Sequence, residues 1–233
     1  SDMETRITEA MVSVYDERDS QERTASNSIT RANVGATRSE ALDRAYNMCY
    51  IGWSYDAATM HTPTTSVTSS PDHLGTTSKT VAGIPYCWGG MNGLDTATYS
   101  GSSARYLQNF ADCLTSGKTA GNITSATGNW VEGTFGIDCS GFVAAALKIP
   151  EKVGTGGLSI FFDSGEWESA QAGDVAIYPG SHTFMIQHIY TADSSGNYKI
   201  ATYESTTDGY FDGAKVYTRN YADVFDNYDL YTY

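Results

Sequence analysis

The chain has 233 residues, with 14 Lys and Arg against 27 Asp and Glu, for a formal net charge of -13. The basic residues are scattered singly, so no patch is present that could displace counterions from a phosphate backbone, and nucleic acid is not expected as a partner. At 40% hydrophobic and 18% charged residues the chain is too apolar to stay disordered, its length suits one elaborated domain, and no apolar run nears the ~20 residues needed to span a bilayer.

Met3, Ile7, Met11 and Val14 recur at helical steps and predict a first helix, followed by a polar, aperiodic stretch over 20–36. A second helix is expected over 39–50, where Leu42, Ala45 and Cys49 share a face, with Thr37 or Ser39 as its cap. Residues 59–83 are dense in Thr, Ser, Pro and Gly and read as a long surface loop, in which His61 and His73 are expected to be solvated. A helix is predicted around 102–113, and then a Gly- and Thr-rich connection runs through Gly136.

From Asp138 the pattern changes. The run CSGFVAAALK at 139–148 predicts an apolar, alanine-rich helix stopped by Pro150. Gly154, Gly156 and Gly157 lack the strand and helix context of a phosphate loop and read as a turn. Strand-type runs rich in Val, Ile, Tyr and Thr follow at 174–178, 182–191, 198–204 and 215–219, with a hairpin turn at 192–197 and a last strand at 229–233. Helices first and an antiparallel sheet last is an α+β order.

Cys139 opens the apolar helix, where unpaired N–H groups and the helix dipole favour a thiolate. A lone cysteine there is equally compatible with a small buried core residue. His182 begins a strand just after the turn at 178–181, so its imidazole can reach a helix N-terminus and exchange a proton with the thiol. His188 lies on the same face of a regular strand, and the more accessible strand-end position favours His182.

These residues sit in strings that resemble the NlpC-type cell-wall peptidases: GIDCSGF at 136–142 is similar to that family's D-C-S-G signature, GIPYCWGG at 83–90 to its G-x-P-Y-x-W-G-G strand, and AGDVAIY at 172–178 with HTFMI at 182–186 to its two later strands. The motifs come in the family's order and cover roughly 39–233. The resemblance implies a papain-like α+β fold, with a nucleophile-bearing helix on an antiparallel sheet. It divides the chain into an N-terminal helical extension, 1–36, and a catalytic domain, 37–233, carrying insertions at 59–83 and 91–135.

It further implies a cysteine peptidase that cuts bacterial peptidoglycan stem peptides, commonly between D-γ-glutamate and a diamino acid. Cys139 would be the nucleophile and His182 the base, Tyr86 would donate towards the oxyanion, and Asp138 and Ser140 would help bind a free substrate amine. The family's usual third histidine has no counterpart here. Glu204 takes its place as the carboxylate that orients the imidazole, with Tyr203 and Thr202 open because one register step exchanges faces. Phe184 replaces a glycine of the family pattern and is expected to put bulk near the cleft.

No cofactor and no metal are called for, and a monomer is expected, secreted or wall-associated, with its signal peptide outside this sequence. A non-hydrolytic wall-peptide or protein-binding module, motivated by Phe184 and the missing histidine, and an acyltransferase on the same fold are the competing readings. The four cysteines could form two disulfides, but a free Cys139 leaves three, and a Cys49–Cys113 bridge or none is expected. Trp130 and Trp167 are expected to line the cleft, and the net charge of -13 implies recognition by local contacts rather than attraction to an anionic wall.

Overall fold

The computed structural model describes residues 34–61, 68–95, 109–124 and 128–233. The helix expected from Met3 to Val14 and most of the one expected over 102–113 lie outside them. Helix α1 (Arg38–Tyr50) starts at Thr37, not Ser39, through a capping box: the Thr37 hydroxyl accepts from the Glu40 N–H, and the Glu40 carboxylate accepts from the Thr37 N–H. Its buried stripe is Ala41, Ala45, Met48 and Cys49.

Strand β1 (Gly52–Tyr55) and the short helix α2 (Ala57–Met60) lead to β2 (Lys79–Ala82), which pairs antiparallel with β1 from Gly52↔Ala82 to Tyr55↔Lys79. The stretch at 59–83 is therefore not all loop. His73 within it is not solvated: its ring lies 5.1 Å from that of Phe211, its Nδ1 accepts from the Asp212 N–H at 3.3 Å, and burial holds it down at a pKa of about 4, in the neutral form. Helix α3 (Phe110–Cys113) and the parallel pair β3 (Thr119–Ala120) and β4 (Thr134–Phe135) precede helix α4 (Cys139–Ala146).

All of α4 is buried, which its Ala-rich composition permits. Asp138 caps it by accepting from the Gly141 N–H at 2.7 Å. At its other end Arg44 donates to the Ala145 and Ala146 carbonyls, placing a cation at the helix C-terminus. Gly141 is required by closeness: a Cβ there would overlap the Gly90 carbonyl oxygen.

After β5 (Asp163–Ser164) come β6 (Val175–Tyr178), β7 (His182–Ile189), β8 (Lys199–Thr206), β9 (Gly213–Asn220), helix α5 (Tyr221–Asn227) and β10 (Asp229–Thr232). These strands form one antiparallel sheet in the order β5-β10-β6-β7-β8-β9, and the chain is α+β. Val175, Ile177, Met185 and Tyr203 pack in the main core with α1 and α4, while Ala176, Phe184, Ile186 and Ile200 pack in a second cluster with Val224 of α5 and Tyr228. No helix among the described residues is long and apolar enough to cross a membrane.

All four cysteines are free and buried, so the Cys49–Cys113 bridge is not formed. Cys87 is engaged elsewhere, 3.3 Å from the Thr134 hydroxyl.

Candidate active site

Four backbone segments converge on the N-terminus of α4. Residues 85–87 bridge to Gly213, Ile137 and Asn122, which sets the Tyr86 side chain beside Cys139. Asp138 fixes the same turn from the other side, its Oδ2 accepting from the Gly89 N–H at 2.9 Å and its own N–H donating to the Gly90 carbonyl at 3.2 Å. As the first residue of α4, Cys139 has an N–H with no intrahelical acceptor, a donor aimed out of the helix end.

His182 sits at the start of β7, opposite Tyr178 of β6. Its ring shares the cleft with the Cys139 thiol, which acts on its titration, and hydrogen-bonds through Nε2 with Glu204 Oε2 at 2.6 Å. With Nε2–H donating to the carboxylate, the second ring nitrogen is left as the basic one. Burial pulls the imidazole pKa down, but the bonds and charges of Cys139 and Glu204 outweigh it and raise the value from 6.5 to about 9.

Glu204 is fully buried in β8. Its Oε1 accepts from Arg219 Nε at 3.0 Å and from the Thr202 hydroxyl at 2.5 Å; its Oε2 accepts from Arg219 Nη2 at 2.5 Å. Desolvation favours the protonated acid, yet His182 and Arg219 lower the pKa from 4.5 to about 2, so the group is a carboxylate. The register separates the three neighbours: Thr202 shares the Glu204 face and donates to its carboxylate, whereas Tyr203 faces the main core and accepts a hydrogen bond from Gln187 Nε2 at 3.2 Å. A register shift between Ile186 and His188 breaks the regular alternation of β7, and His188 is exposed, edge-on to Tyr190.

A cleft of about 490 Å³ opens over this relay, lined among others by Tyr86, Cys139, His182, Asp208, Arg219 and Tyr228. Burial, with the nearby Cys139 and Asp138 charges, pushes the Tyr86 phenol well above its usual pKa of 10.0, so it stays protonated and able to donate. Tyr228 stands edge-on to the imidazole, with ring centroids 6.4 Å apart.

Phe184 puts its bulk under the relay and not in the opening: β7 alternation keeps it on the His182 face, fully buried in the second cluster, its ring 6.4 Å from the imidazole and 5.0 Å from the Tyr228 ring. Trp130 and Trp167 do not line the cleft either; Trp167 packs on Tyr221 and Phe225 and donates to the Tyr228 carbonyl at 3.2 Å.

Asp138 and Ser140, expected to bind a substrate amine, both contact Lys152, whose Nζ lies 3.0 Å from Asp138 Oδ1 and 2.5 Å from Ser140 Oγ, and neither lines the cleft. Arg219 and Lys152 escaped the sequence reading. Arg219 had one available signal: it closes a strand run that can pair beside the one holding Glu204. Lys152 had none, because a single lysine in a glycine-rich turn looks solvated.

The arrangement gathers a thiol, an imidazole, a buried carboxylate, a phenol hydroxyl and a helix-end N–H around one opening. Compared with known proteins, the chain matches no family model, no curated protein and no solved structure.

Proposed function

We propose that the protein is a papain-like cysteine peptidase that hydrolyses amide bonds in bacterial peptidoglycan stem peptides, at the bond between D-γ-glutamate and a diamino acid. The observation that carries this reading is the unbroken line Cys139, His182, Glu204, Arg219 at the cleft, which joins a helix-end thiol to a base made strong by a buried anion.

In the acylation step the Cys139 proton passes to His182 and the thiolate sulfur attacks the amide carbon. The oxygen gains negative charge and is met by the Cys139 N–H and the Tyr86 hydroxyl. Collapse breaks the C–N bond as the imidazolium protonates the leaving amine, and an acyl-thioester remains on Cys139. Water then gives a proton to His182 and attacks the thioester, releasing a carboxylic acid product and the thiol. Glu204 stays ionised throughout and stabilises the imidazolium.

The stem-peptide substrate rests on the sequence motifs. A non-hydrolytic module is less favoured, since Phe184 is buried beneath the cleft residues without filling the opening, and a carboxylate hydrogen-bonds the imidazole where the family has its histidine. The test is mass analysis of products from purified muropeptides incubated under reducing conditions. Cleavage after D-γ-glutamate is expected, and muropeptides left intact by a protein with a free Cys139 would overturn the reading.

A further inference from the structure

Tyr228 joins helix α5 to β10 and is fixed through its backbone on both sides: its N–H donates to the Val224 carbonyl at 2.9 Å, and its carbonyl accepts from Trp167 Nε1 at 3.2 Å. Its ring packs on Phe184 at 5.0 Å and on Tyr178 at 5.7 Å, edge-on to His182. The hydroxyl is not tied down in this way. Among the described residues it has no hydrogen-bond partner, and it is not enclosed, while the residue lines the cleft. Burial raises the phenol pKa to about 12, with the Glu204, Asp208 and Cys139 charges adding to it against the opposing charge of Arg219, so the group is a donor. A rigid ring thus carries an unspent donor to the opening, beside the imidazole.

We propose that Tyr228 reads the leaving half of the substrate: its hydroxyl donates to the carbonyl oxygen of the residue whose amine is released. The proposal rests on the hydrolase reading.

The chemistry decides which half of the substrate lies here. The imidazolium can protonate the departing nitrogen only from hydrogen-bond range, so that nitrogen sits at His182. The departing residue therefore meets the side chains around the imidazole on its open side, Tyr178, opposite His182 across the β6–β7 pair, and Tyr228. Tyr86 instead belongs to the segment bridged to Ile137 at the start of α4, where the acyl half stays on the sulfur. Neighbouring donors are already engaged, Asn227 Nδ2 on the Asp223 carbonyl at 2.8 Å and Arg219 on Glu204 and Asp208. The Asp208 and Asp223 carboxylates of the same cleft offer only acceptors. A carbonyl oxygen on the departing residue finds its donor in Tyr228.

Two substrates isolate that contact. A D-γ-glutamyl-lysine stem peptide carries the carbonyl group. The same acyl half joined to cadaverine, which is lysine without its carboxyl group, keeps the second amine, the chain and the amide bond to be broken. The unsubstituted protein should cleave the lysine peptide with a kcat/KM about tenfold or more above that for the cadaverine amide. Tyr228→Phe keeps the ring and removes the hydroxyl, so it should lose about tenfold on the lysine peptide, hold its rate on the cadaverine amide and leave the pH–rate profile in place.

Equal losses on the two amides overturn the proposal, because a hydroxyl that served the fold or the imidazole would harm both. No loss on either overturns it as well. The substrate comparison in the unsubstituted protein needs no variant: equal rates on the two amides overturn the proposal and leave the hydrolase reading standing. If the unsubstituted protein, with Cys139 free, cleaves neither amide, the hydrolase reading fails and the proposal with it.

Discussion

Arg219 holds Glu204 by both oxygens, Nε to Oε1 at 3.0 Å and Nη2 to Oε2 at 2.5 Å, and shares Oε2 with His182 Nε2. A carboxylate with no solvent exposure would otherwise protonate, and a neutral acid cannot stabilise an imidazolium. The guanidinium is thus a positioning group that acts through Glu204, with its own face over the Phe184 ring at 5.6 Å.

Replacing Arg219 by Leu strands a buried anion and should lower unfolding free energy by about 3–5 kcal/mol in urea titrations. The same change should lower kcat about 10–100-fold with a smaller effect on KM, because the imidazolium of the transition state loses support. Arg219→Lys should recover part of the stability but less of the activity, since one ammonium cannot bridge both oxygens. An Arg219→Leu protein with unchanged pH–rate profile and stability would show that the pair does not act on His182.

Reactivity should separate the cysteines. Burial pushes the Cys87 thiol up to about 12, the Cys113 thiol up to about 11 and the Cys49 thiol higher still, and none of the three lines the cleft. Iodoacetamide on the native protein should therefore label Cys139 alone, as read by peptide mass mapping, and His182→Ala should slow that labelling. Cys139→Ala should reduce hydrolysis by about four orders of magnitude or more, as the covalent step is lost. Labelling of Cys49 or Cys87 at the rate of Cys139 would contradict the assignment.

The His182–Glu204 pair also predicts a pH window for stability. His182 is raised in the fold, so its contribution is whole below its ordinary 6.5 and is lost as pH rises through about 9. Glu204 is lowered, so its contribution is whole above its ordinary 4.5 and is lost as pH falls through about 2. The stability gap between the unsubstituted protein and His182→Ala should be widest between pH 4.5 and 6.5 and should close towards and beyond pH 9. Chemical unfolding at a series of pH values measures it, and a gap that widens above pH 9 would reverse the sign argued here.

Elements that carry a stripe or a run of buried residue types were legible in the sequence; those held by backbone pairing or isolated contacts were not. The T-x-x-E cap and apolar stripe of α1, the apolar run of α4 and the Val-, Ile-, Tyr- and Thr-rich runs of β6 to β9 each carry a local signal that survives into the fold. Strand β2 is mostly exposed and owes its shape to pairing with β1, so its Thr- and Ser-rich surroundings concealed it. Helix α5 buries only Val224 and is supported by the Tyr221–Phe225 stack, with ring centroids 6.0 Å apart, which leaves no stripe to detect. At the site, Cys139, His182 and Glu204 follow from residue type and order. The contacts of Arg219 and Lys152 depend on strand register and on the path of a turn, neither of which is a local property of the chain.

Lys215 should control the wall of the cleft. Its side chain is buried under the loop joining β8 to β9, its ammonium donates to the carbonyls of Thr206, Asp208 and Phe211, and it faces the rings of Tyr210, Phe211 and Tyr217 at 5.6, 5.0 and 5.8 Å. Burial lowers its pKa, a cost accepted because the ammonium satisfies several carbonyls at once in a loop too short to pair its own backbone. That loop brings Thr206, Thr207 and Asp208 to the cleft, and Asp208 Oδ2 in turn accepts from Arg219 Nη2 at 3.2 Å. Lys215→Met retains the stem among the rings but leaves the carbonyls without their donor, so stability should fall by about 2–4 kcal/mol. Because the loop lines the cleft and meets the Cys139–His182–Glu204 line only through the Asp208–Arg219 contact, KM should rise several-fold with kcat changed far less. Hydrogen exchange should quicken at residues 206–212 and stay unchanged in β7; a loss of kcat with KM preserved would place Lys215 in the catalytic line instead of the cleft wall.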